Sequence, residues 1–399
     1  MMNTNRPYTL EQLMRWYGPQ DPVPLSHILQ AGCTGVVSAL HAIPPGDVWP
    51  VEAILRHKSL IEEEGLTWTV VESLPVHEAI KTQSGNFELY IENYKTSLKN
   101  LAKCGIKVVT YNFMPILDWL RTNVAYTLPN GSEALFFNKD HYAIFDLFIL
   151  QRKGAEQEYT AEKLAELKTQ FDTLSEEERS FLKKNMLLGL PGSDIPFTMA
   201  QVKEMLRSYS HIDTQHLKKH LIYFLRTITP VAESVGIRLA IHPDDPPFSV
   251  LGLPRIMSTQ EDISDIMKAV PSPSNGLCFC TGSYGARADN DLVSMIKKWG
   301  IKIHFLHLRN TKRDAAGNFF EASHLEGDAD MYAIMQAIVH LMQERKQSIP
   351  MRPDHGHKML DDLSKTTYPG YSGIGRLKAL AELRGLEYGI VMASQKDFD

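Results

Sequence analysis

The chain has 399 residues, 43% of them hydrophobic and 22% charged, with a formal net charge of −5. That is the make-up of a soluble globular protein, long enough for one large domain with insertions. The acidic balance argues against a nucleic-acid partner. No run of about 18 uncharged apolar residues suggests a membrane span, and MMNTNRPYTLEQ at the start has no apolar leader core, so a cytoplasmic location is expected.

No fixed-period repeat is present; what recurs is a rhythm of short β-branched runs and longer helical stretches. The predicted strands, in chain order, cover 12–17, 35–40, 67–72, 106–112, 236–242, 277–281, 302–308 and 348–353. The first could equally be the last turn of a helix opened by Thr9. Helices are predicted over 50–64, 86–103, 213–235, 258–270, 289–299, 330–344 and 374–392, several starting at Ser, Asp or Pro as N-termini prefer. Ser258 with Glu261 reads as a capping box. Eight strands alternating with helices imply parallel βα units, and so a single (β/α)8 barrel domain over residues 1–399.

One segment breaks the rhythm. Residues 121–212 contain aromatic-rich text and two further capping boxes, Ser175 with Glu178 and Thr198 with Gln201. They are read as a helical insertion over the barrel mouth, between the fourth strand and the next barrel helix, serving as a lid or as a packing or dimerisation decoration.

Barrel strands deliver functional groups at their C-terminal ends. Here those ends carry His41, Glu72, Asn112, His242, Asp244, Asp245, Cys280, His307, Arg309, Asn310, Asp354 and His355. His242, Cys280, His307 and Asp354 fall on four successive strands, about one βα unit apart. Neighbouring strands are roughly 4.8 Å apart, so these side chains can converge on one ion. Two imidazoles, a thiolate and a carboxylate suit Zn(II), Fe(II) or Mn(II) better than Mg or Ca. Taken singly, each has a blander reading: a satisfied histidine, a buried thiol, a turn aspartate. Cys278 shares a strand face with Cys280, but only the one nearer the mouth should reach the ion. Four cysteines (33, 104, 278 and 280) are too few for a disulfide framework in a chain of this length.

RPDHGH, read with IHPDDPP, CFCTGS and HLRN, resembles the mannonate dehydratases of hexuronate catabolism. RWYGPQDPV, TGVVSALHAIPPGDVWP, YNFMPILDW and PGYSGIGRLKALAELRG extend the resemblance over nearly the whole chain. It implies a xylose isomerase-like TIM barrel and one divalent cation, Mn(II) or Fe(II), on His242, Cys280, His307 and Asp354. It also implies removal of water from D-mannonate to give 2-keto-3-deoxy-D-gluconate, with His355 and Tyr371 as the acid/base pair and Tyr368 a weaker alternative to Tyr371. Arg309 and Asn310 are expected to bind substrate, Arg309 as a bidentate carboxylate clamp or else as a rim salt bridge. A homo-oligomer, a dimer, is expected. The rival readings are a metal-dependent sugar isomerase or epimerase on the same barrel, which would lean on more carboxylate ligands, and a non-catalytic sugar-acid binding protein.

Overall fold

The computed structural model describes residues 8–188 and 197–396. The N-terminal stretch read as leaderless, 1–7, and residues 189–196 of the expected insertion lie outside them. Twelve strands run in chain order: β1 (Glu11–Arg15), β2 (Gly35–Ser38), β3 (Thr67–Val71), β4 (Val108–Tyr111), β5 (Asn123–Thr127), β6 (Glu133–Phe137), β7 (Arg238–Ile241), β8 (Asn275–Cys280), β9 (Ile303–His307), β10 (Asn310–Arg313), β11 (Phe319–Ala322) and β12 (Pro350–Arg352). Eight of them close a parallel barrel in the order β1-β12-β9-β8-β7-β4-β3-β2. All eight predicted strands are in that ring, including the first, which is a strand and not a helix end. Strands covered on both faces lose the polar alternation of a half-exposed sheet, which is why they stand out as unbroken apolar runs.

Inside the barrel, Leu13, Val37, Val70, Val108, Ala240, Cys278 and Phe305 form an apolar layer of their own. Side chains alternate along a strand, so the residues two further on return to the interior nearer the mouth. Those residues are Arg15, Ala39, Glu72, Thr110, His242, Cys280 and His307. The apolar layer is thus the floor of a polar one. A register shift after Leu277 brings Cys280 directly opposite His307. Close strand packing requires Gly276, where a Cβ would run into the His304 imidazole and the Lys302 carbonyl.

Segment 121–212 is not helical throughout. Its first part is a hairpin, β5 and β6, which joins β10 and β11 in a second, antiparallel sheet of order β10-β11-β6-β5. The hairpin signal was present in Asn130-Gly131: Gly131 takes φ +83° and Leu128 N–H donates to Ser132 O at 2.8 Å. A second such turn at Asp314–Asn318, with Gly317 at φ +81°, joins β10 to β11. The helices Ala161–Thr173, Glu176–Met186 and Met199–Ser208 follow, the last two with the capping boxes at Ser175 and Thr198 in place. The box expected at Ser258 sits one residue later: Thr259 caps and Asp262 answers, because the helix begins at Gln260.

Candidate active site

His242, Cys280 and His307 leave three successive ring positions, β7, β8 and β9. One ligand atom from each lies within 4.8 Å of the others, and this is the group able to hold a metal among the described residues. His242 Nδ1 donates to the Pro243 carbonyl at 2.7 Å, which leaves Nε2 bare. Burial lowers the His242 pKa against the pull of Asp354 and Glu72, so the ring stays neutral, the form that binds metals. His307 Nε2 lies 3.4 Å from a Glu72 oxygen. Arg352 Nε donates to that His307 nitrogen at 3.1 Å and to Glu72 at 2.8 Å. His307 Nδ1 faces His242 Nε2 at 3.2 Å, a spacing that two imidazoles bound to one cation would also have. The Cys280 sulfur accepts from Ser283 N–H and Oγ–H, which aim its remaining lone pairs.

Asp354 borders this trio, 3.6 Å from Cys280 Sγ and 3.7 Å from His307 Nδ1. It adopts φ +68°, a left-handed conformation rare for aspartate. Arg352 holds it there, bonding both the Asp354 carbonyl at 2.9 Å and the carboxylate at 2.6 Å. Burial works against the charged carboxylate, but Arg352, His355 and Arg309 outweigh it and keep the Asp354 pKa well below the usual range.

His355, the next residue, points its Nε2 at Tyr371 Oη, 3.2 Å away. Its Nδ1 meets both oxygens of Glu321, at 2.8 and 2.9 Å. Burial raises the Tyr371 pKa, opposed by Arg352 and Arg15. Tyr368 stacks edge-on against Tyr17, which also packs on Tyr371.

Arg309 is buried with both terminal nitrogens engaged: Asp245 at 2.7 Å, Glu321 at 3.0 Å and Asp354 at 3.3 Å. The open fork expected for a substrate carboxylate is therefore occupied by protein carboxylates. Asn310 is not brought to the cluster. Its amide is spent on the backbone of His324, Ala329 and Thr311. A cavity of about 610 Å³ opens beside the polar layer, at the ends of β1 to β4, and takes in Arg15, His41, Asn112, Asp118 and Trp119. Arg15 reaches from it to Glu72 at 3.1 Å, and Trp119 sets its edge against His355.

Sequence reasoning passed over three groups that shape this site: Glu321, Arg352 and Arg121. Arg121 grips Asp245 through two bonds of 2.7 and 3.1 Å and reaches Glu321 at 3.1 Å. Arg352 stood inside RPDHGH and could have been weighed there. Glu321 stands in FFEAS, on a strand outside the barrel, with no local signal at all.

A family model described as D-mannonate dehydratase (UxuA) matches residues 10–397. A mannonate dehydratase of Marinomonas sp. (strain MWYL1) is 54% identical over 389 residues, 96% of this chain and 99% of that one. One from Saccharophagus degradans is 49% identical over 388 residues, 96% and 98% of the two chains. The crystal structure of mannonate dehydratase from Streptococcus suis serotype 2 superposes with a TM-score of 0.77 at 33% identity, covering 97% of this chain and 95% of its own. A xylose isomerase-like TIM barrel protein from Mycobacterium smegmatis, at 14% identity and TM-score 0.51, shares the fold. Matched along nearly its whole length, with the barrel architecture in common, the chain belongs to the D-mannonate dehydratase family of hydro-lyases.

Proposed function

We propose that the protein eliminates water from D-mannonate to give 2-keto-3-deoxy-D-gluconate, using one divalent cation, Mn(II) or Fe(II), held by His242, Cys280, His307 and Asp354. The observation that carries the reading is the junction at Asp354. The carboxylate that borders the His–Cys–His trio is followed directly by the histidine paired with Tyr371, so ion site and proton-transfer pair share one turn of chain. The cation, when bound, supplies Lewis acidity for the charge that builds on the sugar acid as its C2 proton leaves.

The protein supplies the proton traffic. Tyr371 takes the C2 proton and His355 protonates the C3 hydroxyl as it departs. A tyrosine needs cations nearby to act as base; burial raises the Tyr371 pKa on balance, and Arg352 and Arg15 beside it oppose that rise. Arg15 lines the cavity and, although Nη1 is paired with Glu72, keeps an unpartnered Nε, so it is the cavity cation offered to the acid's carboxylate, whereas Lys81 is committed to Glu78 and to the Met114 carbonyl. Arg309 serves as a wall residue that holds Asp354 and Glu321 in place. The four free cysteines, all buried, suit the reducing cytoplasm.

The deciding experiment is water loss from D-mannonate by metal-depleted protein, with Mn(II), Fe(II), Zn(II) and Mg(II) restored one at a time. Activity is expected with Mn(II) or Fe(II). No turnover with any of the four would sink the reading, and interconversion of neutral ketoses in its place would favour an isomerase.

A further inference from the structure

We infer that Glu321, supplied by the second sheet, is a positioning residue for the reaction: it fixes the tautomer and the aim of His355, making a Tyr371–His355–Glu321 relay. The inference rests on the dehydratase reading for the identity of the reaction, and on geometry for the rest.

Both Glu321 oxygens lie within 2.9 Å of His355 Nδ1. Two ring orientations of the proton are available. With the proton on Nδ1, it donates to Glu321 and the Nε2 lone pair faces the Tyr371 hydroxyl 3.2 Å away. With the proton on Nε2, a bare Nδ1 lone pair would face an anionic carboxylate. The only donor left to it would be Arg309 Nη1 at 3.2 Å, which already has Glu321 at 3.0 Å. The first arrangement satisfies every group, and the second sets lone pair against carboxylate. This is the logic by which a buried carboxylate holds a catalytic imidazole in the productive tautomer.

Glu321 is itself held rigidly. Arg309 and Arg121 bond one of its oxygens at 3.0 and 3.1 Å, and its strand is locked between β10 and β6. The second sheet therefore has a chemical task. It carries a carboxylate to the Nδ1 side of His355, opposite Tyr371. Arg121 leads into that sheet and Arg309 immediately precedes β10, so the same added element brings the anion and the cations that anchor it.

In this arrangement no bond to Glu321 is made or broken. The proton of Tyr371 passes to Nε2 when the phenolate is generated, and the proton on Nε2 goes to the leaving hydroxide, forming water. The Tyr371 phenolate meanwhile takes the C2 proton and is a phenol again, with Nε2 bare, so the pair ends as it began.

The test uses metal-loaded full-length protein. Wild-type turnover of D-mannonate comes first, because its failure would count against the function and not against Glu321. Given turnover, Glu321→Gln is expected to lower kcat by about a hundredfold or more. KM should stay within about threefold, and metal content and melting temperature should be near wild type. Glu321→Asp should recover part of kcat. A kcat of Glu321→Gln within threefold of wild type would overturn the inference. So would equal loss of kcat, metal and fold in both variants, which marks a structural residue. As an independent arm, formate added to Glu321→Ala should restore kcat in a concentration-dependent way, entering through the roughly 140 Å³ cavity that Glu321 lines. Absence of rescue in a folded, metal-loaded Glu321→Ala counts against it.

Discussion

At the scale of single residues, the site depends on groups whose charge is settled by neighbours a few ångströms away. Burial alone would push Glu321 up; His355, Arg309 and Arg121 outweigh it and hold the carboxyl down to about 2. Asp245 is likewise held well below its usual range, burial notwithstanding, by Arg121 and Arg309. Isotope exchange tests the role of Tyr371. Tyr371→Phe should abolish deuterium exchange at C2 of D-mannonate, and His355→Ala, which removes the acceptor for the Tyr371 proton, should slow exchange and net dehydration together. Exchange at the wild-type rate in Tyr371→Phe would reverse the roles. Cys280→Ser replaces a soft sulfur by a harder oxygen at the ion site. Metal titration should show Mn(II) or Fe(II) binding weakened by about tenfold or more, in line with the cost of disturbing a ligand shell. The metal trio was legible from its joint placement at successive strand ends, whereas the acid/base roles of His355 and Tyr371 came only with the family resemblance. Glu321 was not legible, because nothing in FFEAS distinguishes a catalytic neighbour from a surface glutamate before the sheet is folded against His355.

At the scale of elements, the barrel lays an apolar floor under the polar layer, and Phe305 is the largest side chain in it. Phe305→Ala should cost about 3–5 kcal/mol by the usual truncation of a buried aromatic, read as a drop in the denaturant midpoint. Because the Phe305 ring also packs edge-on against His307, metal affinity should fall with it. Gly282 lies at the opposite kind of constraint. A Cβ there would collide with the Arg309 side chain from Nε to Cβ. Gly282→Ala should displace Arg309 from Asp245 and Glu321 and lower kcat while leaving most of the fold intact, measured by activity against circular dichroism. Most barrel strands were readable from short apolar, often β-branched runs; the first, EQLMR, has no β-branched residue and read equally well as a helix end. The hairpins β5–β6 and β10–β11 were overlooked although Asn130-Gly131 and the Asp314–Asn318 turn advertise them, because they interrupt the βα alternation that the rest of the chain keeps.

At the scale of the whole molecule, the two ends of the described chain meet. Glu387, on the closing helix Gly373–Lys396, accepts the Leu10 N–H at 2.6 Å just before β1. Burial raises its pKa to about 7, against the small opposing effect of that bond. The sign follows: above about pH 4.5 the unfolded carboxyl is charged while the folded one keeps its proton. Stability therefore falls as pH rises from about 4.5 to 7, by roughly 3 kcal/mol, and is level beyond that. Glu387→Gln keeps an acceptor for Leu10 and removes the titration. Its melting temperature should exceed that of wild type at pH 8 and match it near pH 4.5, checked by thermal unfolding across that range. No helix among the described residues is long and apolar enough to cross a membrane.

By itself, the sequence determined the barrel and singled out His242, Cys280 and His307, which the fold brings together as a group able to hold a metal, since strand periodicity and strand-end chemistry are local properties that survive being written as a string. The motifs around His242, Cys280, His307 and Asp354 carried the family as well. Only the tertiary structure decided which charges neutralise which. Arg309 turned inward to Asp245 and Glu321, Asn310 was spent on backbone, and a carboxylate from a second sheet came to rest on His355. Those pairings join residues far apart along the chain, and their energies depend on distance and burial, which exist only once the chain has folded.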